Sequence, residues 1–491
     1  MIIIPRIFNF LIGREMLFNS LGYLFIFLPI LLLIYYASKL KLNYIKITII
    51  IFGLFFYSFW NINFLPILVF SIIVNYFIAK KIQNEITGKK KYLLIISIIF
   101  NLSLLAIFKY LDFLIFNYNF LFDKNFSYLY LPFPLAISFY TFQQITFLVD
   151  VYNKEIKKNS FLDYFLFVTF FPQLIAGPIL TYNFLIKQFK YDITKKDNFY
   201  VRFPYGIFLI SVGLFKKVFI ADNLGIFVDN GFENYLFLDF FSSWYLSFSF
   251  AFQFYFDFTG YVDMATGSAY LFGIKLPQNF DSPYKSRNLI DFWKKWHMTL
   301  TAFFTRYVFL PLATRFKYFN LTNSLFLIFI VFLISGLWHG PSWLFVIFGL
   351  MHGVGVITNH LLKEKFPNLK FNYYLSWLMT FIYINFTFIF FRSETIHQAT
   401  TIIKKMINLN IINAFDNFDK FFKLLNLNND YKLLHCFLIF LSFLIFFFLK
   451  NTFDIGQKFN NKKIYFFISL FAFIIGIFSI GDGNEFIYFK F

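Results

Sequence analysis

Runs of about 18 or more mostly apolar residues recur down this chain, and each is long enough to cross a bilayer as a helix. The first is Met16 to Ala37 and the last lies around 464 to 480. In hydrocarbon every backbone N–H and C=O must be satisfied internally, so such runs fold as helices; the period-two alternation of a membrane barrel is absent. An all-α polytopic membrane protein with about 11–14 membrane segments is expected. Shorter runs near 113–122 and 263–275 are expected to be re-entrant or interfacial.

Hydrophobic residues make up 59% of the 491 and charged ones 14%, which excludes a soluble globular protein. The 44 Lys and Arg outnumber the 25 Asp and Glu, but they cluster in short loops beside apolar segments. That pattern orients a protein in the inner membrane and excludes nucleic acid as a partner. The single cysteine, Cys436, rules out an internal disulfide and a Cys-rich metal site.

The run from Met16 is too long for a signal-peptide core and is expected to stay as the first anchor. Lys39, Lys41 and Lys46 flank the second segment, and Lys80, Lys81 and Lys89 to Lys91 follow the third, so both loops belong in the cytoplasm and the N-terminus outside. Lys450, Lys458, Lys462 and Lys463 likewise put the tail, 481–491, outside. The polar stretches 182–200 and 392–431 read as amphipathic interfacial helices. No repeat or boundary divides the chain, so residues 1–491 are expected to be one integral membrane domain.

Two Trp-His pairs, Trp296-His297 and Trp338-His339, stand in apolar surroundings. An imidazole there needs a partner or a task, and burial favours the neutral form that can accept a proton. Trp293, Trp296, His297 and Leu300 have the spacing of one helical face, whereas Gly340-Pro341 ends or kinks a helix right after His339. His352, His360, His397 and His435 have no comparable setting and read as packed or interfacial. Asp257 and Asp263, six residues apart, fall on opposing faces of a helix, so a break near Gly260 is expected. They serve as a proton or metal site, or simply bond broken-helix backbone. Gln173, in FFPQLIAGPI before the stop at Gly177-Pro178, also wants a partner. No GxSxG elbow, P-loop, complete GxGxxG or HExxH is present.

FFPQLIAGPI, YFDFTGYVDMATG, FWKKWHMTL and SGLWHG together resemble the membrane-bound O-acyltransferases, in the bacterial branch that acetylates alginate and peptidoglycan. The resemblance runs from Met16 to the C-terminal FIYFKF; residues 1–15 precede the usual family start and read as an extension or a start-site choice. It implies a helical bundle around a tunnel, with His339 as the catalytic base and His297 as a second polar group that positions a substrate or bonds the developing oxyanion. It also implies that Tyr488 carries the acyl unit outward. Trp293, Trp296, Trp338, Asp257, Asp263 and Gln173 are then candidate substrate-binding or tunnel-lining residues, with no metal and no bound cofactor. The chain departs from the pattern at Lys490, usually Gln, and at Asp281, often Asn. The expected activity is acetyl transfer from a cytoplasmic thioester such as acetyl-CoA, with a separate periplasmic O-acetyltransferase as partner and membrane lipid around the bundle. Transfer of D-alanine or another acyl group by the same fold, and non-covalent transport of a donor, remain open alternatives.

Overall fold

The computed structural model describes residues 16–37, 41–175, 177–190, 199–368, 372–409, 414–425, 427–457, 459, 463–481 and 487. Among the described residues all regular structure is helical, as the apolar runs predict. Seven helices among the described residues are long and apolar enough to cross a membrane, and Tyr23–Tyr36, Leu42–Ser58, Met298–Ala313 and Lys463–Phe478 are shorter apolar helices. The runs expected to be re-entrant or interfacial are instead continuations. Residues 113–122 close the 33-residue helix Lys90–Phe122, and those from 263 extend the helix Phe240–Leu271. A glycine inside a helix costs about 1 kcal/mol, which the packing of a 32-residue helix absorbs, so the break expected near Gly260 does not occur.

The chain forms two compact units interleaved in sequence: Met1–Gly213, Tyr261–Pro277 and Phe459–Phe473, and then Leu214–Gly260, Gln278–Lys458 and Ile474–Phe491. In the first, Phe18, Tyr23, Phe56 and Phe171 form an aromatic core, and a Cβ at Gly267 would stand 2.6 Å from the Gly206 carbonyl oxygen. Gly267 therefore allows close helix packing rather than a break. Polar side chains bond across helices there: Asn101 Nδ2 donates to Asn75 Oδ1 at 2.6 Å, and Lys46 pairs with Asp163 at 2.5 Å. Such bonds tie helices together where the surrounding medium offers no water.

Six helices carry the second unit's chemistry: α1 (Phe240–Leu271, to position 260), α2 (Leu289–Lys295), α3 (Met298–Phe304), α4 (Leu321–His339), α5 (Trp343–Lys365) and α6 (Tyr373–Arg392). α4 and α5 form a tight hairpin, because glycines remove the side chains that would hold them apart. A Cβ at Gly336 would stand 2.5 Å from the Phe345 carbonyl oxygen and 3.0 Å from Gly349 Cα. In the polar stretch after α6, the helix Ile396–Ile407 buries Gln398, Ala399, Ile402 and Met406 and exposes Lys404, the one-sided pattern expected of it.

Candidate active site

His339 is the last residue of α4, and Gly340 leaves the helix in extended conformation (φ −171°), as the Gly-Pro stop predicts. The imidazole is buried, with ring centroids 5.0 Å from Trp338, 5.3 Å from Phe391 on α6 and 5.7 Å from Phe348 on α5. The α4–α5 turn thus sets the imidazole among aromatic rings drawn from three helices.

His297 is positioned differently from the helical face its spacing suggested. α2 ends at Lys295, Trp296 is extended, and His297 adopts a left-handed conformation (φ 43°, ψ 54°) before α3 begins. A non-glycine residue in this region is strained and persists only when its surroundings hold it. Asn279 supplies that hold. Its Oδ1 accepts from Thr299 N–H at 3.1 Å and Thr299 Oγ1 at 2.9 Å, and its carbonyl oxygen accepts from Met298 N–H. Because a backbone N–H can only donate, the Asn279 atom it meets is the amide oxygen. The same oxygen lies 3.1 Å from His297 Nδ1, so Nδ1 carries the proton and Nε2 of the neutral ring carries the lone pair.

The two Trp-His pairs converge. The His297 ring lies 6.4 Å from Trp338 and 4.9 Å, edge to face, from Phe258 on α1. Trp338 therefore neighbours both imidazoles. Phe280 and Phe254 flank Trp296 at 5.2 and 5.3 Å, completing an aromatic surround.

Trp293 serves another histidine. Its indole N–H donates to His352 Nδ1 at 3.1 Å, which puts the His352 proton on Nε2, 2.9 Å from Thr387 Oγ1; that hydroxyl donates onward to the Ile384 carbonyl. Both nitrogens of His352 are engaged, so it is the packed imidazole its sequence setting suggested. Trp293 also lines a cavity of about 340 Å³ with Leu300, Thr301, Phe304, Phe332 and Ser335; neither His297 nor His339 lines it.

Asp257, on α1, is buried, and its Oδ1 lies 2.5 Å from Lys217 Nζ. Gln173 and Asp263 belong to the first unit. There Gln173 is buried and donates to the Phe167 carbonyl, while Asp263 lies in the continuous helix. Tyr488 and Lys490 lie outside the described residues. Asp281 accepts from Asn451 Nδ2 at 2.8 Å. Sequence reasoning missed Asn279 and Lys217: the first sits in a loop before FDSPY and bears no motif, and the second is one of two adjacent lysines in an apolar segment and belongs to no motif either.

The membrane-bound O-acyltransferase family matches residues 51–396. The chain is 40% identical over 455 residues to a peptidoglycan O-acetyltransferase of Helicobacter pylori, covering 86% of this chain and 85% of that one. It is 32% identical over 394 residues to a probable alginate O-acetylase of Pseudomonas putida, covering 78% and 79%. A teichoic acid D-alanyltransferase of Bacillus subtilis is 29% identical over 54% of this chain and 70% of its own. With its apolar spanning helices and its two buried Trp-His pairs, the chain belongs to the membrane-bound O-acyltransferase family and is a multi-pass membrane acyltransferase.

Proposed function

We propose that this protein takes acetyl groups from a cytoplasmic thioester, acetyl-CoA, and passes them across the inner membrane for O-acetylation of cell-wall peptidoglycan or an exported polysaccharide. The observation that carries this reading is the convergence of His297 and His339 on Trp338 in a water-poor aromatic surround. The long match to a peptidoglycan O-acetyltransferase supports acetyl as the cargo. Residues 1–491 act as one acyltransferase domain, since the two units are interleaved rather than consecutive.

In the proposed step His339 removes the proton from the Tyr488 hydroxyl, and the phenolic oxygen attacks the thioester carbonyl. The carbon–sulfur bond breaks, and the thiolate leaves with the proton that His339 took up. His297, with its lone pair on Nε2, accepts from and so orients a substrate hydroxyl; a neutral ring in this tautomer cannot donate to an oxyanion from Nε2. Asn279 Nδ2 is buried without a hydrogen-bond partner among the described residues and is a donor available to a substrate oxygen. The acetylated tail, outside by loop charge, hands its group to a separate periplasmic O-acetyltransferase. That partner is required because the chain has no serine-nucleophile signature.

The test is mass spectrometry of the C-terminal peptide after incubating purified protein with acetyl-CoA. A hydroxylamine-sensitive acetyl adduct on Tyr488, absent from His339→Ala, supports the mechanism. An adduct only with a carrier-bound D-alanyl thioester turns the cargo to D-alanine, as the match to the D-alanyltransferase allows. Donor translocated with its thioester intact makes the protein a transporter.

A further inference from the structure

Beside Phe258, Asp257 of α1 meets Lys217 and Asp222 of the helical segment Phe215–Asp222, a cluster of charges. Lys217 Nζ stands 2.6 Å from Asp222 Oδ1 and 2.5 Å from Asp257 Oδ1, with Lys217 1% and Asp257 2% exposed. Holding the Lys217–Asp257 ion pair out of water, with Asp222 part-buried beside it, is costly, and apolar side chains would fill the same space at lower cost. Such a cluster calls for a task beyond packing. The second oxygen of Asp257 shows one: Oδ2 accepts a 3.0 Å hydrogen bond from the backbone N–H of Ile487, 230 residues further along the chain and itself buried.

We propose that Lys217, Asp222 and Asp257 form a dock for the C-terminal tail, a positioning device that grips Ile487 by its main chain and so sets where its neighbour Tyr488 is presented. The inference rests on the reading of Tyr488 as acyl carrier. Each member has a physical role. Asp257 makes the grip charge-assisted, hence stronger than a bond between neutral groups. Lys217 offsets the carboxylate that would otherwise be buried alone, and Asp222 holds the ammonium in place. Because the donor is a backbone N–H, the grip does not depend on the side chain at 487, but it is lost if that residue lacks an N–H. Successive Cα atoms lie about 3.8 Å apart, so a held Ile487 tethers Tyr488 within that span. Asp257 directly precedes Phe258, whose ring meets the His297 ring at 4.9 Å, and one helical residue rises about 1.5 Å. The carboxylate that grips Ile487 and the ring that meets His297 are thus borne by consecutive residues of α1.

The experiment uses the full-length protein in native-like membranes with two readouts. In a Cys436→Ser background, which removes the one exposed native thiol, Ile487→Cys is labelled with a bulky maleimide. Adding Asp257→Asn is expected to speed labelling at least tenfold while the thermal midpoint of the protein holds; no acceleration in a folded variant overturns the dock. Ile487→Pro removes the N–H and leaves the three charged side chains untouched, so it carries the test should Asp257→Asn fail to accumulate. Its expected effect is a loss of acetyl transfer as deep as that of Tyr488→Phe, with Ile487→Ala losing far less. Full transfer by Ile487→Pro, where Tyr488→Phe abolishes it, overturns the positioning role. Faster labelling together with full transfer by both Ile487→Pro and Tyr488→Phe would leave the dock standing and remove the carrier reading instead.

Discussion

The oxygen of the Asn279 side chain and Nδ1 of His297, 3.1 Å apart, fix which nitrogen of a buried histidine holds its proton. The same oxygen accepts from the backbone N–H of Thr299, so it cannot be exchanged for the amide nitrogen without setting donor against donor. One loop residue thereby decides that His297 presents an acceptor.

Replacing Asn279 by leucine removes that decision. Acetyl transfer is expected to fall about tenfold or more, the consequence of losing about 1.4 kcal/mol of transition-state positioning. Asn279→Asp keeps an acceptor toward Thr299 and His297 and is expected to retain more activity than the leucine variant. Initial rates on equal amounts of purified protein check the order.

His352 predicts the opposite signature. Its two nitrogens are spent on Trp293 and Thr387, so His352→Ala leaves a buried indole N–H without its acceptor, at a cost of about 1–3 kcal/mol. A lowered thermal midpoint in detergent with little change in activity per folded molecule is expected. A large loss of turnover in fully folded protein would show that His352 takes part in the chemistry.

The glycine pair of the α4–α5 hairpin sets the position of His339 three residues on. A methyl at Gly336 would meet the Phe345 carbonyl oxygen at 2.5 Å, closer than van der Waals contact allows, and that oxygen is backbone. Gly336→Ala is expected to lower the amount of protein in the membrane, and what remains should lose activity. Thr358→Ala, at an exposed position of α5, serves as the control and should do neither.

These residues also show what the sequence could tell. His339 was legible because Gly340-Pro341 marks a helix end from chain-local chemistry, and Trp338-His339 stands out among apolar neighbours. His297 was legible as a buried imidazole but not in its geometry. Trp293, Trp296 and His297 carry helical spacing, yet the break between α2 and α3 is held by Asn279, which only tertiary contact brings there. The reverse error occurred at Gly260, where a glycine-punctuated stretch suggested a break and a continuous helix runs through. Glycine near 260 and 267 reads the same way whether it ends a helix or lets another backbone approach, and the Gly206 contact at Gly267 selects the second. Asp257 was picked out as a carboxylate in an apolar run, but its partners, Lys217 and Ile487, are 40 and 230 residues away. No local pattern links them.

The most direct measurement of the central claim is ester-linked acetate on isolated cell wall and exported polysaccharide from cells carrying wild type, His339→Ala or a deletion, with equal membrane levels of the two proteins. The account predicts that His339→Ala falls to the level of the deletion, and that the fraction losing acetate identifies the acceptor. Wild-type acetate in every fraction of the His339→Ala cells, with loss on deletion, would contradict it: His339 would not be the base.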